Sequence, residues 1–312
     1  MTFCRRDLFL LMTLASAVSQ AYGQAVSPSP EVITRGAESA ASIPDFSGVW
    51  HRWLRPGFGP PASGAGPVTN RSRVRGVSDY NQLVGDYTNP ILTPKAAAVV
   101  KEHGDLSLNG VGYPTPSNQC WPDGVPYIFW QYGMQMLQEQ DKVTILYLQD
   151  HQFRQVRLNQ QHPAHIIPSW YGDSVGHYEG DTLVIDTVGV KIGRFSMADM
   201  YGTPYSRSLH VVERYQLLDY EAAKDAIDRD AKINQRYPPG VNPIDFDPNY
   251  RGKHLQLQIS VEDPDVFTTP WSAYVTYGRP LGEWVEYVCP QSLLKYNTEK
   301  EPAVPTADKP DF

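Results

Sequence analysis

Residues Tyr171–Val190, YGDSVGHYEGDTLVIDTVGV, decide the fold that this sequence predicts. Two runs of strand-forming residues, Val175–Glu179 and Thr182–Val188, flank the dipeptide Gly180-Asp181. Glycine at the first central position of a two-residue loop favours a type II′ turn, whose twist matches that of the strands it joins. The stretch therefore predicts a β-hairpin.

The two-residue loop also fixes the register of this hairpin, with Glu179 opposite Thr182 and Val175 opposite Asp186. Alternation then places His177 and Asp186 on one face as diagonal neighbours, roughly 7 Å apart at Cα. A carboxylate beside an imidazole raises the pKa of the imidazole and orients it as an acid or base. A solvated surface pair without function is the alternative, because exposed ion pairs are weak.

Strand patterns repeat on both sides of the hairpin, and the clearest is the alternation from Leu255 to Glu262. Short connections and the lack of βαβ alternation predict a mainly β protein, an antiparallel calycin/lipocalin-like barrel or strongly curved sheet of about nine strands. The opening Gly48-Val49-Trp50 resembles that of lipocalin-type barrels, in which the Trp plugs one end. The other strands are expected at Met134–Glu139, Val143–Gln149, Phe153–Leu158, Leu209–Leu218, Ala273–Tyr277 and Glu283–Cys289.

Two helices interrupt this pattern. Thr93-Pro94 predicts the start of a short helix that runs to about His103. Tyr220–Ile233 is helical in composition and is inserted between two strands, as a lid over a barrel mouth or as decoration. The expected organisation is a signal peptide at 1–24, a disordered leader at 25–44, a Pro/Gly-rich region with the short helix at 45–119, the barrel domain at 120–300 with a helical insertion at 219–250, and a tail at 301–312.

The first residues predict export to the periplasm or secretion. Arg5-Arg6 precede the short apolar run Leu8–Leu14, and Ala21-Tyr22-Gly23 ends in residues suited to cleavage. The run is too short for a stable membrane span, and the paired arginines suit both general and twin-arginine export. The 312 residues carry a net charge of −7, which argues against a nucleic-acid partner.

Cysteine usage fits an oxidising compartment. Cys4 belongs to the predicted signal, so the mature chain retains Cys120 and Cys289. We expect these two to form a disulfide, which in the chain-entropy model contributes about 4–5 kcal/mol. A metal site or a nucleophilic thiol is the alternative, but the sequence has no CxxC or Cys/His spacing of the usual kind.

Glu213 is the strongest candidate for acid/base chemistry, because it lies within the apolar row of the strand Leu209–Leu218. A carboxyl group buried there has a raised pKa unless it is paired, and a general acid or base needs such a shift. A buried structural ion pair with an arginine is the alternative. His210 lies on the opposite face of the same strand, so it cannot act together with Glu213 without a bulge.

Two further motifs carry weaker signals. His162-Pro163-Ala164-His165 contains two imidazoles without a third ligand at a fixed spacing, so a polar loop is favoured over a metal site. Gly172–Gly176 matches the letters G-x-S-x-G, but the serine-hydrolase elbow needs a helix after the serine, and here a hairpin strand follows. There is no phosphate loop or dinucleotide fingerprint.

The run Gly172–Thr187 resembles a widespread group of exported bacterial proteins of unknown function that share the motif G-[DH]-S-[VI]-G-x-[YW]-E-G-D-T-L-V-x-D-T. The resemblance covers most of the mature chain and implies export but no particular activity. Several polar positions of the group are exchanged here, which suggests a specialised paralogue. The matching segments include Asp45–Trp50, His162-Pro163, Leu209–Arg214, Glu262-Asp263-Pro264 and Glu286–Cys289, and the departures are Asn159-Gln160-Gln161, Asp173-Ser174, His177-Tyr178 and Pro204-Tyr205-Ser206.

These residues together predict an exported, cofactor-independent enzyme of lyase, hydratase, isomerase or cyclase type that acts by acid/base chemistry on a largely apolar or aromatic small molecule. Neither a cofactor nor a metal is expected. The alternatives are a barrel that binds an apolar ligand without turnover and a structural envelope protein. The expected proton-handling residues are Glu213, His177, Asp186 and His210, and the expected aromatic pocket walls are Tyr178, Trp271, Tyr215 and Trp170.

Overall fold

Alternating apolar residues build most of the strands of this protein. The computed structural model describes residues 43–52, 57–74, 77–79, 82–110, 113–131, 133–149, 152–233 and 247–282. The helices are α1 (Pro94–Leu108) and α2 (Tyr220–Ile233). The strands are β1 (Gly48–His51), β2 (Arg73–Val74), β3 (Val77–Ser78), β4 (Gly133–Gln138), β5 (Lys142–Tyr147), β6 (Phe153–Leu158), β7 (Asp173–Glu179), β8 (Thr182–Val188), β9 (His210–Leu218), β10 (His254–Glu262) and β11 (Trp271–Tyr277).

Nine of these strands form one sheet in the order β1-β4-β5-β6-β7-β8-β9-β10-β11, and β2 pairs with β3 separately. The two outermost strands of that order meet again at a single bridge between His51 and Gly278. The backbone N–H of each residue donates to the carbonyl oxygen of the other, at 2.8 and 2.7 Å. The fold is therefore mainly β, a nearly closed barrel with a helical insertion, as the sequence predicts.

The hairpin of β7 and β8 has the register that its two-residue loop dictates, with Glu179 opposite Thr182 and Val175 opposite Asp186. Gly180 has a φ of +61°, and Asp181 is not in the positive-φ region. A positive φ at the first central residue alone is the pattern of a type II′ turn. Register and turn type are both as expected.

One strand pair departs from the expected antiparallel arrangement. β6 and β7 are parallel, with Arg157 paired to Val175 and Leu158 to Gly176. Parallel neighbours need a long crossover connection, which here is the segment 159–172. This crossover carries His162 across the outer face of the sheet, where it matters for the site described below.

The inner face of the barrel is densely filled. Leu255, Leu257, Ile259 and Val261 of β10 have no accessible surface, which confirms the alternation read from the sequence. Trp50 of β1 is also buried, and its indole N–H donates to the carbonyl oxygen of Phe46 at 2.7 Å. Large apolar side chains thus occupy the barrel interior along the described strands.

The side chain of Arg279 reinforces the junction of β1 with the end of β11. The guanidinium of Arg279 donates to the carbonyl oxygens of Val49 at 2.8 Å and of Ser47 at 3.4 Å. Its central carbon lies 3.6 Å from the ring centroid of Trp50, a close cation–π contact. We call this junction, formed by the His51–Gly278 bridge and Arg279, the seam.

Both predicted helices are present, and one is longer than expected. Thr93 caps α1 by accepting from the N–H of Ala96, but the helix continues beyond His103 to Leu108. Gly104 allows close packing there, since a Cβ at that position would lie 3.0 Å from a methyl group of Val84. Tertiary contact therefore extends a helix whose last turn has weak intrinsic propensity.

Helix α2 matches its predicted bounds and buries Ala223 and Ile227 against the partly buried Leu218 and Tyr220. The described helices contain none that is long and apolar enough to cross a membrane. Several sequence predictions lie outside the described residues: the signal peptide, most of the leader, the rest of the insertion at 234–246, the strand Glu283–Cys289 and the tail.

Candidate functional site

Two imidazoles meet one carboxylate on the outer face of the barrel. Asp186 points outward from β8, His210 begins β9, and His162 approaches from the crossover 159–172. The Asp186 Oδ1 atom lies 2.9 Å from His210 Nε2 and 3.2 Å from His162 Nε2. The antiparallel pairing of β8 with β9 brings Asp186 and His210 together, and the parallel crossover supplies His162.

The group continues through Asp173, the first residue of β7. His162 Nδ1 lies 2.6 Å from Asp173 Oδ1, and the guanidinium of Arg157 donates to both Asp173 oxygens, each at 2.9 Å. The ring of His162 therefore bridges the carboxylates of Asp173 and Asp186. We call the five residues Arg157, Asp173, His162, Asp186 and His210 the Asp186 cluster.

The electrostatics of the cluster favour a charged pair at Asp186 and His210. The hydrogen bond from His210 holds the pKa of Asp186 below its usual range, and burial opposes that shift only in part. The same hydrogen bond raises the pKa of His210 against the effect of burial, and the nearby Glu262 adds to the increase. Arg157 is the main cause of the lowered pKa of Asp173. His210 is thus biased toward its protonated form.

The cluster is reachable from solvent. The exposed fractions of the side chains are 36% for His210, 41% for Asp186 and 23% for His162. Because the Asp186 carboxylate accepts from His210 Nε2, the proton of neutral His210 lies on that nitrogen. His210 Nδ1 has no hydrogen-bond partner among the described residues. An imidazole held in this way presents one open nitrogen for proton transfer.

The expected pairing of His177 with Asp186 is wrong. His177 Nε2 lies 2.9 Å from Glu179 Oε1 at the turn end of the hairpin, and Arg214 donates to the other oxygen of Glu179 at 2.6 Å. The side chains of His177 and Glu179 are about half exposed, and that of Arg214 is somewhat more buried. The diagonal position is correct, but His162 and His210 take the Asp186 carboxylate. His177 therefore belongs to an exposed surface network.

Glu213 lies inside the barrel and is paired with Arg154 of β6. Arg154 Nη2 donates to Glu213 Oε1 at 2.6 Å, and Nη1 donates to Oε2 at 3.1 Å. The remaining three N–H groups of Arg154 also have acceptors, which are Ser174 at 2.9 Å, Tyr147 at 3.2 Å and Thr187 at 2.7 Å. All five donors of the buried guanidinium are therefore satisfied.

This network corresponds to the second interpretation that the sequence allows, a buried structural ion pair. Glu213 also accepts from the hydroxyl of Tyr215 at 2.9 Å, and neither Glu213 nor Tyr215 has accessible surface. A residue without accessible surface borders no void large enough for water, so no guest molecule reaches this carboxylate in the observed conformation. Ser174, the serine of the G-x-S-x-G letters, is used here as a hydrogen-bond partner of Arg154.

The predicted aromatic walls do not share one pocket. Trp271 and Tyr215 are buried in the core. Tyr178 is partly buried, and its hydroxyl accepts from the side-chain amide of Gln138 at 3.0 Å. Trp170 differs, because it lines an open surface depression of about 350 Å³ together with the exposed Phe153.

Sequence reasoning missed three members of the Asp186 cluster, and it did not identify Arg154 as the partner of Glu213. His162 was considered only as a metal ligand, and Asp173 only as part of the hairpin. Arg154 shares the inward row of β6 with Val156 and Leu158, so alternation alone marks it as a buried cation in need of a carboxylate. No sequence pattern of this kind indicates the Asp186 cluster, because the parallel crossover brings His162 to it.

Metal ligation has no support in the described part of the chain, where no three His, Cys, Asp or Glu side chains are grouped suitably for an ion. His165 of the proposed His-Pro-Ala-His motif is exposed and lies outside the cluster. Cys120 ends a short 3-10 turn with a φ of +53°. Its predicted partner Cys289 lies outside the described residues, so the disulfide stays a prediction.

No protein-family model matches the chain, no curated protein matches it, and no solved structure matches it.

Proposed function

We propose that this protein is an exported, cofactor-independent enzyme that moves a proton at His210. The observation that carries the proposal is the contact between His210 Nε2 and Asp186 Oδ1, at 2.9 Å, in a side chain that is 36% exposed and whose Nδ1 has no hydrogen-bond partner among the described residues. A carboxylate that fixes the tautomer of an imidazole and leaves its other nitrogen free is a common arrangement for general acid/base catalysis.

The chemistry follows from the two protonation states of His210. The neutral ring accepts a proton from substrate through Nδ1, and the resulting imidazolium is stabilised by Asp186. The partly exposed N–H of the protonated ring exchanges with solvent, and the ring then delivers a proton to another atom of the same substrate. Proton removal followed by proton return supports lyase, hydratase, isomerase or cyclase chemistry on a small molecule.

Asp186 and His162 have positioning roles in this proposal. Asp186 orients His210, while His162 bridges Asp186 to Asp173 and so fixes the carboxylate from its other side. Arg157 holds Asp173, at the other end of this series of hydrogen bonds, by donating to both of its oxygens. Glu213 is left out of the catalytic set, because Arg154 occupies both of its oxygens inside the barrel.

Export is part of this proposal, and the sequence of residues 1–24 supports it. The Cys120–Cys289 disulfide belongs with it, because an oxidising compartment favours pairing of the two cysteines. The resemblance to exported bacterial proteins points in the same direction.

The proposal can be tested without knowing the substrate. Small molecules extracted from the culture medium of the source cells are incubated in D2O with the purified mature protein and followed by mass spectrometry. Proton transfer to carbon incorporates deuterium from the solvent, so we expect at least one product to carry it. That product is an isomer of a consumed compound or differs from it by one water.

Two variants make the test specific. His210→Asn removes the proton-transferring ring and should abolish the conversion, whereas His165→Asn removes an exposed imidazole that lies outside the cluster and should leave it unchanged. Conversion that persists in His210→Asn would falsify the proposal. Co-purification of an unconverted apolar ligand with both variants would instead favour the binding-protein alternative.

A further inference from the structure

Two neighbouring loops place the most exposed apolar side chain of the described residues beside two cations. The exposed fraction is 80% for Ile167 in the crossover and 46% for Ile192 in the loop after β8. Ser169 and Val190 form a parallel bridge, and the N–H of Lys191 donates to the carbonyl oxygen of Ser169 at 2.7 Å. The backbone therefore holds the two loops side by side.

Three aromatic rings connect the two loops. Trp170 packs edge-on against Trp121 at 5.2 Å, and Trp121 packs edge-on against Phe195 at 5.4 Å. Lys191 lies 4.8 Å from the ring centroid of Trp170, and Arg194 lies 5.3 Å from that of Phe195. Each exposed cation is thus held over an aromatic ring.

The charge of this region is opposite to that of the whole chain. The segments 162–170 and 190–196 contain no Asp or Glu, whereas the full sequence has a net charge of −7. Exposed isoleucines, tryptophans with an apolar body and a polar N–H, and flanking Lys and Arg are the side chains that the interface of an anionic bilayer accommodates. We call Ile167, Trp170, Lys191, Ile192 and Arg194 the loop patch.

We propose that the loop patch docks the protein reversibly on the surface of a membrane that contains anionic lipid. The two isoleucines enter the boundary between headgroups and acyl chains, while Lys191 and Arg194 stay at the level of the lipid phosphates. The attachment is peripheral and depends on both contributions, since neither two isoleucines nor two cations bind firmly alone.

Vesicle co-sedimentation tests this proposal with the mature full-length protein. We expect binding to vesicles of phosphatidylcholine mixed with phosphatidylglycerol, weak binding to phosphatidylcholine alone, and loss of binding at high salt because the electrostatic part is screened. Lys191→Glu/Arg194→Glu should weaken the partition by roughly tenfold or more, given the contribution of each cation near an anionic surface.

A second pair of variants separates the apolar contribution from a loss of folding. Ile167→Ser/Ile192→Ser should abolish binding, whereas Leu108→Ser, an equally simple change at an exposed apolar residue of α1, should not affect it. Unchanged thermal unfolding of the variants shows that they fold. The proposal is overturned if the wild type stays in solution with both vesicle types, if the isoleucine variant binds normally, or if the patch mediates only self-association in analytical ultracentrifugation.

Discussion

Asp199 holds a carboxyl group in a buried turn between β8 and β9. Its Oδ1 accepts from the backbone N–H groups of Tyr201 at 2.8 Å and Thr203 at 3.3 Å, and the side chain has almost no accessible surface. Burial outweighs these hydrogen bonds and raises the pKa of Asp199 to about 6. The folded protein therefore binds this proton more tightly than the unfolded chain does.

Asp199→Asn should consequently stabilise the protein above pH 6. Between its ordinary pKa and about 6, the folded state binds more protons at Asp199 than the unfolded state, so this residue lowers stability as pH rises. The neutral amide avoids that cost, and we expect a gain of up to about 3 kcal/mol at pH 8 that vanishes near pH 4. Urea unfolding at both pH values measures it, and an equal gain at pH 4 would contradict this explanation.

His103 produces the opposite dependence on pH, so the comparison must be made between variants at a fixed pH. Burial lowers the pKa of His103 to about 4. The unfolded chain then binds more protons at this residue between about 4 and its ordinary value, and stability contributed here is lost as pH falls through that range. The dependence of wild-type stability on pH would not show either effect alone, because the contributions of Asp199 and His103 have opposite signs.

At His210 we predict a direct effect of its carboxylate partner. Asp186→Asn removes the main cause of the raised pKa of His210, so the pKa should fall toward the value of an ordinary histidine. Titration of the ring protons by nuclear magnetic resonance measures the change, and His165→Asn helps to assign the signals. If turnover is found, its acidic limb should move in the same direction, which a purely structural role of Asp186 does not predict.

At the scale of elements, Arg154 and Glu213 connect β6 to β9 along the inner face of the barrel. Glu213→Gln leaves a buried guanidinium without its counter-charge and should cost about 3–5 kcal/mol in the free energy of unfolding. Arg154→Met/Glu213→Leu removes both charges and should be less destabilised than either single change. Chemical denaturation of the three variants measures this.

The same variants check the exclusion of Glu213 from the proposed chemistry. A stable Glu213→Gln protein that loses turnover would show that Glu213 carries protons and that the exclusion is wrong.

Features that depend on residues close in sequence could be predicted, whereas features that depend on tertiary contacts could not. Strand patterns predict β4 to β11, and Gly180 predicts the hairpin register, because both depend on residues close in sequence. The two-residue strands β2 and β3 are not predicted, since they lie in a Pro/Gly-rich stretch without periodicity. Only two of the five residues of the Asp186 cluster, Asp186 and His210, are predicted from the sequence, because His162 reaches the cluster through the parallel pairing of β6 and β7. β6 alternates buried and more exposed side chains as an antiparallel strand does, so its sequence pattern does not indicate a parallel neighbour.

At the scale of the whole molecule, the barrel is least supported at the seam. Neighbouring strands elsewhere in the sheet are paired over at least two residues, whereas β1 and the end of β11 share the His51–Gly278 bridge alone. We expect Arg279→Ala to increase the hydrogen exchange rate of the Gly278 amide far more than that of amides in β9 and β10. Exchange followed by mass spectrometry measures this, with Arg251→Ala as an exposed control.

A barrel whose first and last strands meet only at the seam exposes strand edges whenever the seam opens. With Arg279 removed, opening of the seam would free the backbone amide and carbonyl groups of His51 and Gly278, whereas Ser272 and Tyr274 of β11 stay bonded to Ala65 and Gly59. Freed strand-edge groups pair readily with those of another copy. Loss of the Arg279 cation would then favour self-association of molecules whose barrel has partly opened, visible as larger species in size-exclusion chromatography.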